Sequence, residues 1–255
     1  MEQEFEGTRR GFAQVAGAAG LVALGGLWTP AGAAERKTQN KTQNKAQNKT
    51  QKAKTSGNAQ EEEQPPVTPP EDLMREHGVL DRTLLIYDAA LRKFDANEEF
   101  DPAAITQSAQ VIRDFIENYH EKSEEQQVFP RFQKANQMVE LVQVLLAQHQ
   151  AGRKVTATIL RLAPNSRAPE ARGELVRSMR DFIAMYRPHA AREDTELFPK
   201  LRKVVSPNEF DAMAEDFERE EHRLFGEDGF EKMVDRVAQI ERMVGINDLS
   251  KFTPS

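Results

Sequence analysis

The 255-residue chain has five histidines, His77, His120, His149, His189 and His222, and no cysteine. With no thiolate available, any metal site must use nitrogen and oxygen donors. That set suits iron, manganese or zinc and excludes cysteine-held clusters. Two of the histidines stand in matched surroundings. His120 is followed by Glu124 at the fourth residue and by Phe129-Pro130 at the ninth and tenth, and His189 is followed by Glu193 and Phe198-Pro199 at the same offsets. The other two extend the match, because His77 precedes His120 by 43 residues and His149 precedes His189 by 40. The pattern reads as two copies of one αα-hairpin, each supplying a His and then a His-x-x-x-Glu, stacked about a pseudo-two-fold axis.

The apolar periodicity puts these side chains inside. His120 and Glu124 continue the stripe Ile105, Ala109, Ile112, Ile116, and His189 and Glu193 continue Leu175, Met179, Phe182, Tyr186. His77 lies among Leu73, Met74, Leu80 and Leu84, and His149 among Val142, Leu145, Leu146 and Thr156. A lone inward histidine is ordinarily a hydrogen-bonded core residue. Two inward glutamates change the balance, since burying a carboxylate costs several kcal/mol unless something positive compensates it. A pair of divalent ions bridged by Glu124 and Glu193, with neutral imidazoles completing the shells, supplies that compensation. A protonated His beside each Glu, one turn apart, is the alternative.

The elements that must carry these groups are helices, and no segment shows sustained strand alternation. The spacing predicts helices over about 71–94, 102–128, 132–162 and 168–198, with Asp101 capping the second and Pro102 as its first residue. The short loops between them imply an all-α, antiparallel up-down-up-down four-helix bundle over residues 70–204. A further helix over about 208–224 and an amphipathic stretch ending at Gly245 form a C-terminal extension, 205–245, before a loose tail, 246–255. Pro188 removes an amide from the fourth helix and is expected to kink it, helping to aim His189. Tyr119 and Tyr186, close before two of the histidines, are candidates either to orient a ligand or to sit as amphipathic aromatics at the bundle edge.

Ahead of the bundle, Arg9-Arg10-Gly11-Phe12, a mildly apolar stretch from Gly17 to Trp28 and the small-residue pattern Ala31-Gly32-Ala33 resemble a twin-arginine export signal, residues 1–34, cut after Ala33 or Ala34. The expected destination is the bacterial periplasm, with no integral span in the mature form. Residues 35–69 form a linker in which a Lys-Thr-Gln-Asn motif repeats with a period of four; it is expected to be disordered, as a solvated spacer or a basic tether. The net charge of −6 argues against nucleic acid as a partner.

These motifs resemble the hemerythrin-like, HHE cation-binding family across residues 70–200. The resemblance implies two non-haem irons, with Mn or Zn as other occupants, and oxygen or another small diatomic molecule as partner. It assigns His77 and His120 to one half of the ligand set, His149 and His189 to the other, and the bridging role to Glu124 and Glu193. Glu121 matches an additional carboxylate ligand of some members, or is an exposed helix glutamate. The pattern departs from the oxygen carriers in two places. Arg153 stands where their third helix has a second histidine, and His189-x-x-x-Glu193 replaces their His-x-x-x-x-Asp. The carboxylate-rich shell implied by these departures weakens simple oxygen carriage and leaves binding, storage or sensing, oxidase or peroxidase chemistry, and a plain iron reservoir as competing functions. His222, within Glu220-Glu221-His222, is a surface residue or a replacement for the missing ligand. A ferritin-like di-iron bundle would need two Glu-x-x-His motifs, and the chain has one, Glu117 to His120.

Overall fold

The computed structural model describes residues 67–254; the expected export signal and almost all of the linker lie outside them. Every regular element among the described residues is helical. Helix α1 spans Pro69–Asp95, opening on two prolines with Glu71 and Asp72 in its first turn and closing on Arg92 and Lys93, charges that suit the two ends of the helix dipole. Helix α2 covers residues 102–134. The Asp101 side chain accepts a hydrogen bond from the Ala103 amide at 2.9 Å, capping it as the sequence predicts. Helix α3 is Val139–Leu162, and α4 is Pro169–Arg192 with wider and tighter turns carrying it on to Val204. Helix α5, Pro207–Phe225, starts with a capping box between Ser206 and Glu209, and α6 is Gly229–Val244.

The second and third helices meet further along the chain than the periodicity suggests. Helix α2 runs to Lys134 instead of stopping near 128, and α3 begins at Val139, after a turn in which Asn136 (φ 51°) and Met138 (φ 52°) are left-handed. The cause lies at Phe129-Pro130. The Phe129 amide donates to the Glu124 carbonyl, five residues back instead of four, so the stretch Glu124–Val128 is π-helical. Pro130 has no amide, and its ring crowds the carbonyl four residues behind it. Opening the preceding turn accommodates the ring without ending the helix. The same happens at Phe198-Pro199: the Phe198 amide donates to the Glu193 carbonyl, and Glu193–Leu197 is π-helical. Each of these two widened turns begins at one of the inward glutamates; a longer π-helical stretch, Ile112–His120, lies further back in α2. At the other end of the chain, the tail expected to be loose contains a short turn, Leu249–Phe252, capped by Asp248.

Helices α1 to α4 form a closed ring of neighbours, α1 against α2 and α4, α3 against α2 and α4. Helix α6 lies on α1 and α2, and α5 on α1 and on the central part of α2. Two apolar clusters result. The larger holds Leu80, Leu84, Ile112, Ile116, Met179 and Phe182 and includes Val237 and Ile240 of α6. The smaller holds Leu73, Phe129, Phe132, Leu145, Phe198 and Leu201 and is completed by Phe210, Met213 and Phe217 of α5. Met74 is not in either, being 36% exposed. Arg82 donates twice to Glu241, at 2.9 and 2.6 Å, fastening α6 to α1. No described helix is long and apolar enough to cross a membrane.

Candidate metal centre

One histidine from each of α1 to α4 points inward. His77, His120, His149 and His189 are at most 3% exposed, and Glu124 and Glu193 are fully buried with them. The Nε2 atoms face one another and the two carboxylates. Glu193 Oε2 lies 3.1 Å from His189 Nε2, one turn back on its own helix, and 3.4 Å from His77 Nε2 on α1. Glu124 Oε2 lies 3.6 Å from His120 Nε2 and 3.4 Å from His149 Nε2 on α3. Each glutamate therefore touches the histidine of its own helix and the first histidine of the other hairpin. His149 Nε2 and His189 Nε2 are 3.2 Å apart.

The outward nitrogens are held just as regularly. His120 Nδ1 meets Glu76 Oε2 at 2.6 Å, and His189 Nδ1 meets Gln148 Oε1 at 2.9 Å. Glu76 and Gln148 each directly precede the first histidine of a hairpin. His77 Nδ1 meets Asp194 Oδ1 at 2.7 Å, and His149 Nδ1 meets Glu125 Oε1 at 3.2 Å, both partners directly following a central glutamate. Acceptors at Nδ1 place the proton there and turn the Nε2 lone pair to the centre, as metal-binding imidazoles require. Above the rings, Phe198 stacks on His77 (5.6 Å, 24°) and Phe129 on His149 (5.5 Å, 26°). The π turns thus bring each Phe onto the face of its glutamate, over a histidine of the other hairpin. The four polar partners were missed in the sequence, yet extending the repeat one residue either side of the ligand positions picks them out, and the two phenylalanines belong to the repeat already read there.

Electrostatically the cluster is unbalanced as protein alone. Both oxygens of Glu124 and both of Glu193 are buried without a hydrogen-bond partner. Burial and the neighbouring Glu193 push Glu124 up to about 8. Burial acts the same way on Glu193, but His189 and His77 outweigh it and hold that carboxyl below the usual range. His77 and His149 are each raised to about 10; burial opposes this, and Asp194 with Glu193, or Glu124 with Glu125, overcomes it. Burial and the adjacent His77 drive His120 well below its ordinary value. Glu76 is pushed well up by burial, then by Asp72 and Glu221. A buried set of this kind, with orphaned carboxylate oxygens facing converging imidazoles, fits divalent cations. The geometry supports two overlapping positions, His77, His120, Glu124 and Glu193 in one and His149, His189 and Glu193 in the other.

Glu121, with Glu125 and His149, forms a further group whose donor atoms lie within 4.8 Å of one another; its Oε1 accepts from the Tyr186 hydroxyl at 2.5 Å and its Oε2 pairs with Arg153 at 2.6 Å. Arg153 also pairs with Glu125 at 2.7 Å, so the guanidinium takes up the space next to His149 where a second histidine would project. Tyr186 acts on Glu121, while the Tyr119 hydroxyl donates to the Phe217 carbonyl at 3.4 Å and ties α2 to α5. His222 is exposed on α5. Glu117 has Arg113 beside it at 3.7 Å and does not join any of these groups.

Residues 68–201 match the hemerythrin HHE cation binding domain. The chain belongs to this family. Such a domain binds metal ions, and the buried His/Glu cluster is where this hemerythrin-like chain would hold them. An uncharacterized protein of Mycobacterium tuberculosis is 51% identical over 196 residues, covering 76% of this chain and 77% of its own length. An uncharacterized protein of Mycobacterium bovis matches with the same figures. No solved structure matches.

Proposed function

We propose that this hemerythrin-like bundle, of up-down-up-down topology, carries two non-haem irons and uses them to bind oxygen or a related small molecule. The supporting observation is the exchange of glutamates between hairpins: Glu124 and Glu193 each stand between histidines of both halves, with every carboxylate oxygen unpartnered. His77 and His120 would hold one ion, His149 and His189 the other, with the two glutamates bridging them. Bound iron would supply electrons and open positions for a diatomic ligand. The protein's part is to fix the imidazoles by their Nδ1 partners and to keep the pair between two apolar clusters, where bulk water is excluded. Arg153 in place of a fifth histidine leaves a shell richer in carboxylate, which favours the oxidised metal and so keeps an oxidase or peroxidase activity as the second reading.

Anaerobic loading of the purified chain with ferrous iron, followed by metal counting and admission of oxygen, tests both. Two irons per chain and a visible band that comes and goes with oxygen are expected; fewer than two would defeat the di-iron reading. Irreversible oxidation with peroxide turnover would favour the enzyme. Glu124→Ala and Glu193→Ala should each lower metal content sharply, and Glu71→Ala, at an exposed position, should leave it unchanged. The twin-arginine motif supports export to the periplasm, which fractionation of cells carrying Arg9→Lys/Arg10→Lys protein would check through cytoplasmic retention.

A further inference from the structure

The two halves of the centre match in position but not in charge. Three matched positions differ in one direction, and the opposing difference, Glu121 beside His149 where the other half has Ala190, is tied up by Arg153. At the residue before the first histidine, the His77–His120 half has Glu76, a carboxyl on His120 Nδ1 at 2.6 Å. The other half has Gln148 there, an amide on His189 Nδ1 at 2.9 Å. At the residue after the central glutamate, Asp194 on His77 makes no ion pair with a lysine or arginine among the described residues. Its counterpart on His149, Glu125, is shared with Arg153 at 2.7 Å and Lys122 at 2.5 Å. One turn beyond the first histidine, the first half has an acidic residue, Asp81, where the second has Arg153.

We propose that the two metal positions are unequal and fill in order, the His77–His120 position first, with Glu76 and Gln148 setting the difference. This rests on the two-metal reading above. A carboxyl 2.6 Å from Nδ1 polarises its imidazole toward a cation at Nε2 more strongly than an amide at 2.9 Å does. Exchanging such a partner changes metal affinity by about 10- to 100-fold. The Arg153 guanidinium acts in the same sense: it stands on the His149 side, and its ties to Glu121 and Glu125 leave those two carboxylates with less charge to offer a dication. The first position is therefore a tight, resident site. The second is the exchangeable one, the position at which metal occupancy responds to supply.

Anaerobic titration of the full-length chain with cobalt(II), followed by its ligand-field absorption, reads this directly. Wild-type protein should take up one equivalent and then a second, with affinities about 10- to 100-fold apart. Glu76→Gln, nearly isosteric, should weaken the first step by a similar factor and bring the steps together. Gln148→Glu should strengthen the second, and His189→Ala should remove the second step while leaving the first. Two equivalents bound in one unresolved step, or Glu76→Gln weakening only the second step, would overturn the ordering and leave the two-metal site standing. A total below two equivalents in the wild type would instead defeat the two-metal reading itself. Circular dichroism of each metal-free variant separates these results from misfolding.

Discussion

Glu124 is worth more to the chain with a cation than without one. Its two oxygens are buried and unpartnered, and Glu193 stands close enough to push its carboxyl up to about 8. Removing such a group relieves desolvation, so metal-free Glu124→Gln should melt higher than metal-free wild type, by a few degrees for about 1 kcal/mol in a domain of this size. The same variant should lose most of the stabilisation that metal gives the wild type, and differential scanning calorimetry with and without zinc measures both. Protonation sets the pH dependence. Below about 8 for Glu124, and below about 10 for His77 and His149, protons occupy groups that a metal needs free. Metal uptake at neutral pH should therefore release protons, and apparent affinity should rise with pH through 8 toward 10 and then level off; calorimetric titration in buffers of different ionisation enthalpy checks this. Gly152 is decisive for a different reason. A methyl there would stand 2.1 Å from the Tyr186 hydroxyl, which needs that space to reach Glu121. Gly→Ala in a helix ordinarily gains about 1 kcal/mol, whereas overpacking costs about 1–3 kcal/mol. Gly152→Ala should therefore lower stability on balance, and the Tyr186–Glu121 bond should be broken, visible as a changed tyrosine ultraviolet difference spectrum.

At the scale of elements, the two Phe-Pro pairs are structural tools. Each proline opens the turn behind it, each opened turn begins at a central glutamate, and each phenylalanine lands on a histidine of the opposite hairpin. Pro199→Ala restores an amide and allows ordinary i→i−4 bonding at that turn, which would rotate Phe198 off His77. The expected result is unchanged helicity with metal affinity lowered about tenfold or more, the scale seen when groups that orient ligands are lost. These pairs also show where the sequence was legible. The ligand positions could be read because inward histidines and glutamates interrupt an otherwise apolar stripe, and the repeat could be read because it preserved spacing. The π turns could not, because a proline inside a helical pattern looks like an end, and periodicity at 3.6 residues gives no sign of a single widened turn. That is why the boundary between the second and third helices moved from about 130 to the turn at residues 135–138. The roles of Glu76, Asp194, Glu125 and Gln148 were hidden for another reason: next to a ligand on a helix, a polar residue reads as surface.

For the molecule as a whole, α5 and α6 complete the apolar layers between which the centre lies. Helix α5 supplies Phe210, Met213 and Phe217 to the layer at the Phe-Pro end, and α6 supplies Val237 and Ile240 to the layer beneath. A chain ending at Val204 would expose both layers on one side. It should be less stable by several kcal/mol, since each fully buried large apolar side chain contributes about 1.5–3 kcal/mol, and should bind hydrophobic dyes that the whole chain excludes. Sequence periodicity identified both segments as helical and the second as amphipathic but gave no indication of what they cover, because that depends on contacts far along the chain.

The crossing of ligands between hairpins has a further consequence. Glu124 reaches His149 and Glu193 reaches His77, and the Nδ1 partners cross too, Glu76 to His120 within one hairpin but Asp194 to His77 and Glu125 to His149 between them. Neither hairpin owns a complete coordination sphere. Cut at the turn 135–138 and supplied as two separate polypeptides, the halves would have to find each other before either could keep an ion. Metal would then act as a fastener added to the apolar surface the two halves share, and the turn 135–138 spares the protein that search.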